Sequence, residues 1–298
     1  MELQTRSNGT PVQRRKRKAP PTTWIGTAAL VVLLAWPVVA RGLPHQSGSI
    51  TALPALEPQA DLCTPEGTLV SGTLSGTPTW TKAESPYHVT ADVTIALDGE
   101  LTIQSGVVVC FAQDTVLLIG TSSSAGRLMA EGTSGEPIVF TADTETPARG
   151  YWRGIEFSDH SQRNSMDYCV VEYASRGVSS TDSSDDLETD NIHHCTFRHN
   201  GVVADGDGPG GALNLQGDGL SLWRNKSYDK ELGARLAESF NDEILENEIY
   251  DNDGYGLALV AESGSPTETN LISDNQIYEN GGDGIWITDQ SAIQAIGN

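Results

Sequence analysis

A repeat of 22 to 30 residues runs through the second half of the chain and restricts its fold more than any other feature. Five segments align as "MDYCVV", "IHHCTF", "LWRNKS", "ILENEI" and "ISDNQI". Periods of this length are typical of solenoids, in which each repeat packs only on its neighbours. The aligned fourth positions of the five segments are Cys169, Cys195, Asn225, Asn247 and Asn275.

Short stretches of alternating apolar and polar residues fill each repeat. An apolar residue precedes the aligned position by three, and a Gly-apolar-X-apolar pattern follows it, as in "GLAL" and "GIWI". Alternation with a period of two indicates β-strands. Strands this short cannot pair within a repeat. We therefore expect three strands per repeat, each paired in parallel with its equivalent about 4.8 Å away in the next repeat.

The aligned Asn residues indicate how the turns are held together. An inward amide at a turn can donate to, and accept from, the amide of the next repeat, so that a column of Asn is satisfied internally. We expect Asn225, Asn247 and Asn275 to form this ladder, continued by Cys169 and Cys195. The Gly before the last strand indicates positive φ or a close approach of backbones. The alternative, hairpins of a β-sandwich, is disfavoured by five matched inward positions.

The segment 66–157 shows the same alternation less regularly. Its sequences "TWTKAESPYHVTADVTI", "GELTIQSGVVVCF", "GEPIVFTAD" and "WRGIEF" resemble the opening of right-handed parallel β-helix domains in exported bacterial proteins of the pectate-lyase-like superfamily. The resemblance covers about residues 66–298 and implies an all-β, right-handed parallel β-helix of about eight or nine coils with three short parallel sheets. That superfamily includes lyases, hydrolases, epimerases and adhesins, so the resemblance implies a fold rather than a function. Cys110 stands where similar sequences usually have a basic residue.

The first 42 residues differ in composition from the rest. The basic run Arg14–Lys18 precedes an apolar segment, Trp24–Ala40, which ends in "VVA", a sequence suited to signal peptidase. This segment is shorter than the about 20 residues of a membrane span, which favours a cleaved export signal over an uncleaved anchor. We divide the chain into a signal peptide or membrane anchor (1–42), a linker and N-terminal segment (43–65) and the β-helix (66–298). A secreted or cell-surface location follows.

The sequence stops at "SAIQAIGN", 23 residues after Asn275, where the next ladder position is due. Apolar alternation continues to this point, and no polar cap of the kind that covers an open β-helix end follows. We therefore expect the β-helix to be truncated at its C-terminus, with further coils or domains of the same protein as partners.

Charge excludes one class of partner. Residues 1–42 hold seven Lys or Arg and one acidic residue, which leaves 11 basic and 39 acidic residues in 43–298, a net charge of −28. Such a surface repels phosphate backbones, so nucleic acid is not an expected partner. It also repels polyuronates unless cations intervene.

The resemblance implies a binding groove along the outer face of one sheet, the sheet whose strands follow the Gly residues. An exposed Trp beside acids and amides can stack on a sugar ring, so we expect Glu156, Asn214, Arg235 and Trp286 to contact carbohydrate. The alternative is that Trp286 covers a neighbouring loop or a missing next coil. The outward positions of this sheet are Glu156, Ser179, Asn214, Arg235, Ala258 and Trp286.

Arg235 is the only basic residue of that row and the only candidate for catalysis. In a lyase or epimerase, a cationic residue acts beside a uronate while calcium holds its carboxylate. Two acidic loops flank the sheet, and they offer the oxygen ligands that calcium prefers. Solvated loops are the alternative. The proposed metal ligands are Asp182, Asp185, Asp186, Asp205 and Asp207.

Two local patterns compete with these assignments. The spacing of Leu232, Leu236 and Phe240 by four also fits a short helix. The segment "IHHCTFRHN" suggests a metal site, but the repeat directs Cys195 inward and His194 outward, which argues against it.

The cysteines fall into two groups. Alternation around Cys110 directs its neighbours inward and its own side chain outward, where the segment carrying Cys63 can reach it, so we expect a Cys63–Cys110 disulfide. Cys169 and Cys195 are expected as stacked thiols, because strand neighbours in register rarely meet disulfide geometry.

The sequence therefore predicts an exported or cell-surface β-helix protein with a non-catalytic role in carbohydrate recognition, or a structural or adhesive role. A calcium-assisted polysaccharide lyase or epimerase is the alternative. The expected partner is an extracellular polysaccharide or cell-wall glycan, with a membrane involved only through an uncleaved N-terminal segment. Calcium is the only cofactor that the residues suggest.

Overall fold

A computed structural model describes residues 62–161, 163–180, 190–201, 210–217, 219–237, 241–260, 270–288 and 293–298. Over these residues the chain forms short β-strands and one 3-10 turn, Lys82–Glu84, with no α-helix. The strands wind into successive coils of a right-handed parallel β-helix, which confirms the predicted fold. None of the described residues forms a helix long and apolar enough to cross a membrane.

Three parallel sheets form the faces of the coils. Sheet I contains β5 (Val108–Phe111), β8 (Ile138–Ala142), β11 (Cys169–Glu172), β14 (Thr196–Arg198), β17 (Lys226–Tyr228), β20 (Glu248–Tyr250) and β23 (Gln276–Tyr278). Sheet II contains β6 (Val116–Ile119), β9 (Gly154–Phe157), β12 (Arg176–Ser180), β15 (Gly211–Gln216), β18 (Ala234–Ala237), β21 (Leu257–Val260) and β24 (Ile285–Thr288). Sheet III contains β2 (Thr79–Trp80), β4 (Gly99–Ile103), β7 (Gly126–Glu131), β10 (Ser165–Asp167), β13 (Asn191–His193), β16 (Ser221–Trp223), β19 (Glu243–Leu245), β22 (Asn270–Ser273) and β25 (Ile293–Ile296).

The first two coils differ from the others, because one long strand covers two faces. Strand β3 (Tyr87–Ile95) pairs with β5 through Tyr87–Val89 and with β6 through Val93–Ile95, so it joins sheets I and II. Strand β1 (Thr68–Leu74) pairs with β3 in parallel and forms the coil before it. Counted from β1, the described residues contain nine coils, in agreement with the predicted number.

Inward side chains stack in columns from coil to coil. In sheet III, Ile244 lies between Leu222 and Ile272, and all three are buried. Aromatic stacking adds to the core in the early coils, where the rings of Phe111 and Trp152 lie 3.8 Å apart. Burying each large apolar side chain contributes about 1.5–3 kcal/mol to folding. The core is therefore one continuous apolar column along the coil axis.

The Asn ladder occupies the turn between sheet III and sheet I. The backbone N–H and Nδ2 of Asn247 both donate to Oδ1 of Asn275, each at 2.9 Å. Its Nδ2 also donates to the carbonyl of Leu222 in the coil before, at 2.9 Å. Asn225 donates its N–H to Oδ1 of Asn247 at 2.9 Å, and Asn275 bonds in the same way to Asn298. Each amide thus links three coils.

Two further polar columns were not predicted. One precedes sheet III, where the N–H of Asn164 donates to Oδ1 of Asp190 at 2.6 Å. The other follows sheet I, where the N–H of Asn252 donates to Oδ1 of Asn280 at 3.2 Å. Because these columns mix residue types, no single aligned residue type in the sequence indicates them. Their described members are Asn164, Asp190, Asp242 and Asn270 in the first, and Asn200, Lys230, Asn252 and Asn280 in the second.

In the later coils, the glycines before the sheet II strands serve close approach rather than positive φ, whereas Gly154 at the start of β9 has a φ of 130°. A Cβ on Gly233 would lie 2.2 Å from the carbonyl oxygen of Gly256, and one on Gly256 would lie 2.6 Å from that of Gly284. Neither Gly233 nor Gly256 has positive φ. Left-handed conformations occur instead at the residue that precedes each ladder position. These preceding residues are Tyr168, His194, Arg224, Glu246 and Asp274.

The cysteines are placed as the alternation indicates. Cys63 and Cys110 form a disulfide with a Cα–Cα distance of 5.9 Å, which ties the N-terminal segment to sheet I. Cys169 and Cys195 are buried free thiols in the ladder column. The Cys195 sulfur contacts the carbonyl of Met166 at 3.4 Å, the role that an Asn Nδ2 has in later coils. Burial raises the pKa of the Cys169 thiol well above its usual range.

The helical alternative for the segment around Leu236 is wrong. Ala234–Ala237 is a strand, β18, paired on both sides, because inward alternation and pairing with β15 and β21 outweigh a spacing of four over so few residues. Phe240 lies outside the described residues, as do the proposed signal peptide or anchor (1–42) and most of the linker segment.

Candidate functional site

The outer face of sheet II carries the residues that sequence analysis proposed for carbohydrate contact. Register places the row as expected, with Asn214 beside Arg235, Arg235 beside Ala258 and Ala258 beside Trp286. Glu156 belongs to the same row, next to Ser179. The row therefore runs along the coil axis, one residue per coil.

Only part of this row forms a common site. Five strand steps of about 4.8 Å separate Glu156 from Trp286, which is roughly 24 Å. Glu156 accepts from Arg153 at 3.4 Å and is engaged in its own coil. Asn214, Arg235 and Trp286 lie within three steps of each other, and the Nη1 of Arg235 donates to Oδ1 of Asn214 at 3.1 Å. The structure thus brings these three together and leaves Glu156 apart.

A groove of about 420 Å³ lies at the C-terminal end of the row. Its walls combine apolar side chains with one cation and one carboxylate. Arg235 and Trp286 both line it, although two coils separate their strands. The lining residues are Glu231, Leu232, Arg235, Gly254, Tyr255, Ala258, Val260 and Trp286.

Tyr255 is the main addition to the predicted set. Its ring stacks on Trp286 with centroids 4.9 Å apart and planes 3° from parallel. The pair fixes the orientation of the indole, since an offset-stacked arrangement is the preferred geometry of aromatic rings. The sequence carried little signal for Tyr255, because it stands in the turn before Gly256 and the next repeat has Asp283 there.

Exposure along the row is lower than expected. Ser179 and Ala258 were expected to face outward, and both are buried, at 7% and 2% relative exposure. A side chain as short as that of Ala258 is covered when long neighbours, here Arg235 and Trp286, flank it on adjacent strands. Trp286 itself is half-buried rather than fully exposed. The outer face of sheet II at these coils is consequently a groove and not a flat row.

The proposed calcium ligands cannot be placed relative to this groove. Asp182, Asp185, Asp186, Asp205 and Asp207 all lie outside the described residues.

Another depression, of about 550 Å³, lies on sheet III at the first coils. Lys82 and Glu136 line it and form an ion pair of 2.7 Å across it. None of the residues proposed from sequence lines this depression. Its charged residues are one lysine and three carboxylates, and it has no aromatic side chain, whereas the groove on sheet II combines a cation with an aromatic pair and is the better candidate site.

Comparison with known proteins agrees with the observed coils. A family model described as a pectate-lyase-like beta helix domain matches residues 72–202, and one described as a right handed beta helix region matches residues 190–298. A search of curated proteins found no match.

Three solved structures are similar at low identity. The periplasmic alginate epimerase AlgG is 15% identical with a TM-score of 0.34, over 80% of this chain and 65% of that chain. A mutant of the same epimerase is 14% identical with a TM-score of 0.33, over 80% and 65%. A double mutant is 9% identical with a TM-score of 0.31, over 80% of each chain. This chain therefore spans about 65% of the length of the first of these epimerase chains.

The two matched segments together extend from residue 72 to residue 298, and the nine observed coils account for the same region. Both matches, together with the observed coils, support the parallel β-helix superfamily.

Proposed function

We propose that this protein binds an extracellular polysaccharide or cell-wall glycan, without chemical conversion, in the groove on sheet II. The observation that carries the proposal is the presence of Arg235 and the stacked Tyr255–Trp286 pair in one groove. Aromatic faces and edges suit the apolar C–H surface of a sugar ring, while a guanidinium offers several fixed donors to hydroxyl or carboxylate oxygens.

Groove shape supports a chain-like ligand. The row from Asn214 to Trp286 runs along the coil axis over three strand steps, roughly 14 Å. A linear glycan can lie along such a row and contact Asn214, Arg235 and Trp286 with successive sugars. The overall negative charge of the chain favours neutral glycans, or acidic glycans carried with bound cations.

The chemistry of the row favours binding over catalysis. Lyases and epimerases need a group that removes a proton from a sugar carbon. Arg235 is the one cation of the row within the described residues, and a guanidinium stays protonated, which makes it a poor base. Its hydrogen bond to Asn214 holds the guanidinium in the row, which supports a role in binding.

A secreted or cell-surface location is part of this proposal. The Cys63–Cys110 disulfide supports it, since disulfides persist mainly in oxidising compartments outside the cytosol.

The proposal is tested by affinity electrophoresis of the protein through gels that contain single polysaccharides, neutral and acidic, with and without calcium. We expect Trp286→Ala to weaken retention by the bound polysaccharide about tenfold or more, because it removes the larger ring of the aromatic pair. Arg235→Gln should weaken it as well, by removing the charged donor.

Tyr278→Ala is the matched control. Tyr278 is an exposed aromatic residue on β23, in the same coil as Trp286 but on sheet I. Its loss should leave retention unchanged. Equal weakening by Tyr278→Ala and Trp286→Ala would show that the groove is not the binding site.

The alternative, a calcium-assisted lyase or epimerase that uses Arg235, makes a different prediction. Incubation with an acidic polysaccharide would then release unsaturated uronate ends, or change the ratio of epimeric uronates, only when calcium is present. Either product, abolished by Arg235→Gln, would replace the binding proposal with an enzymatic one.

A further inference from the structure

Three metal-ligating atoms converge on the outer surface of sheet III, away from the groove. Oδ1 of Asp167 lies 3.0 Å from Nδ1 of His193 and 3.1 Å from Nδ1 of His194. The two histidine nitrogens are 3.3 Å apart. These three atoms, one carboxylate oxygen and two imidazole nitrogens, form a nearly equilateral triangle.

Backbone geometry explains the convergence. Asp167 on β10 and His193 on β13 are paired neighbours in adjacent coils, so their side chains leave the sheet side by side. His194 follows His193 but has a left-handed backbone, with φ of 52°. That conformation turns its ring back toward Asp167, where a continued strand would direct it to the opposite face.

Neighbouring aromatic rings hold both imidazoles. The ring of His194 stacks on Tyr168 with centroids 4.6 Å apart and planes 3° from parallel. Trp223, paired with His193 in the next coil, contacts His194 edge-on at 5.1 Å. Arg224 packs over the Trp223 ring and donates to Glu246 at 2.7 Å, so its charge is paired. The triangle is therefore held in place before any ligand arrives.

We propose that Asp167, His193 and His194 bind a divalent transition metal of the zinc class. In tetrahedral zinc sites the ligand atoms lie about 2.1 Å from the metal, which places them roughly 3.4 Å from one another. The observed separations of 3.0 to 3.3 Å match this with little adjustment. Two imidazoles and a carboxylate suit zinc and its neighbours, whereas calcium takes oxygen ligands.

The site has an open side. The side chains of Asp167, His193 and His194 are 24%, 28% and 21% exposed. A metal held by three protein ligands keeps a coordination position for water or for a donor from another molecule. The site joins two successive coils and is independent of the glycan groove on sheet II.

The experiment is a titration of the metal-free, full-length protein with Zn²⁺ against a chromophoric chelator, followed by Co²⁺ as a spectroscopic probe. We expect one high-affinity site per chain and the intense visible absorption of four-coordinate Co²⁺. Asp167→Asn and His193→Gln should each lower Zn²⁺ affinity by about 100-fold or more, because each removes one of three ligands. Saturating Zn²⁺ should also raise the melting temperature of the wild type and not that of Asp167→Asn.

His199→Gln is the matched control. His199 also has a left-handed backbone, stacks on a tyrosine (Tyr173, at 5.3 Å) and contacts a carboxylate (Asp229), but no second imidazole of the described residues joins it. It should leave Zn²⁺ affinity unchanged. Circular dichroism shows whether each variant is folded. Zn²⁺ affinity that is the same in the folded Asp167→Asn variant, or that falls equally in His199→Gln, would overturn the proposal.

Discussion

Asn247 shows what a single buried amide does in this fold. Its Oδ1 accepts the N–H of Asn225, and its Nδ2 donates to Leu222 and Asn275. The side-chain amide thus supplies hydrogen-bond partners to backbone N–H and C=O groups at the turn. Buried groups without such partners are costly, which explains why this position keeps one residue type over several coils.

Replacing Asn247 with Leu is expected to lower the free energy of unfolding by about 1–3 kcal/mol, because the buried N–H of Asn225 loses its acceptor. Urea denaturation measures the difference. Gln276→Leu, an exposed position of β23, is the control and should change stability by less than about 0.5 kcal/mol. Similar effects at both positions would show that the ladder contributes no specific stability.

Lys230 interrupts the second polar column. It occupies the position of Asn200 and Asn252 in adjacent coils, and it is completely buried. Among the described residues neither its Nζ nor Oδ1 of Asn252 has a hydrogen-bond partner. Burial lowers the pKa of Lys230 well below its usual range. The ammonium lies 5.6 Å from the ring centre of Phe197, a weak substitute for a hydrogen bond.

Replacing Lys230 with Asn is expected to raise the free energy of unfolding by about 1–3 kcal/mol near neutral pH, because the new amide can complete the column. The unfolded lysine binds its proton up to about pH 10.4, and the folded one loses it at lower pH. Wild-type stability should therefore rise with pH through this window, whereas the variant should lack that contribution. Denaturation at about pH 7 and about pH 9.5 measures it. A variant that is less stable at both pH values would contradict this account of Lys230.

At the scale of the strand, coil spacing decides which residues are allowed. The strands of sheet II stack so closely at their N-terminal ends that Gly233 has no room for a side chain. A Cβ there would lie 2.2 Å from the carbonyl oxygen of Gly256 and 2.6 Å from Cγ2 of Ile249. Backbone atoms cannot yield at those distances without separating β18 from β21.

Gly233→Ala is therefore expected to destabilise the protein by about 2 kcal/mol or more, measured as a shift in the urea midpoint at constant m-value. Gly135→Ala is the control, since a Cβ at Gly135 meets nothing within 4 Å. An unchanged midpoint in Gly233→Ala would mean that the coils are not packed at the described spacing.

Strand positions could be predicted because apolar and polar residues alternate in every coil and because the ladder Asn sets the register. The other polar columns could not, since Asn200 and Asn252 are separated by a lysine in their column. The cluster of Asp167, His193 and His194 could be recognised in part from the sequence. Asp167 precedes His193 by 26 residues, the same interval that separates Cys169 from Cys195, so the two lie in one register one coil apart. The aligned sequences do not show that the residue before each ladder position is left-handed, and at His194 this conformation brings the second nitrogen to the same face.

At the scale of the whole molecule, the stacking of coils places equivalent residues of successive repeats side by side, so that they form a continuous surface. Asn214, Arg235 and Trp286 are far apart in sequence but follow one another along sheet II. This row could be predicted from the sequence, because alternation and the preceding Gly fix which residues point outward. The groove could not be predicted, since Tyr255 reaches it from a turn and Ala258 is covered by its neighbours.

The most direct test of the central claim is a crystal structure of the protein with an oligosaccharide from the polysaccharide that it retains best. We predict an intact oligosaccharide along sheet II, with one sugar ring against Trp286 and a sugar oxygen within hydrogen-bond distance of the Arg235 guanidinium. An oligosaccharide bound on sheet I or sheet III, or a cleaved or unsaturated product in the groove, would contradict it.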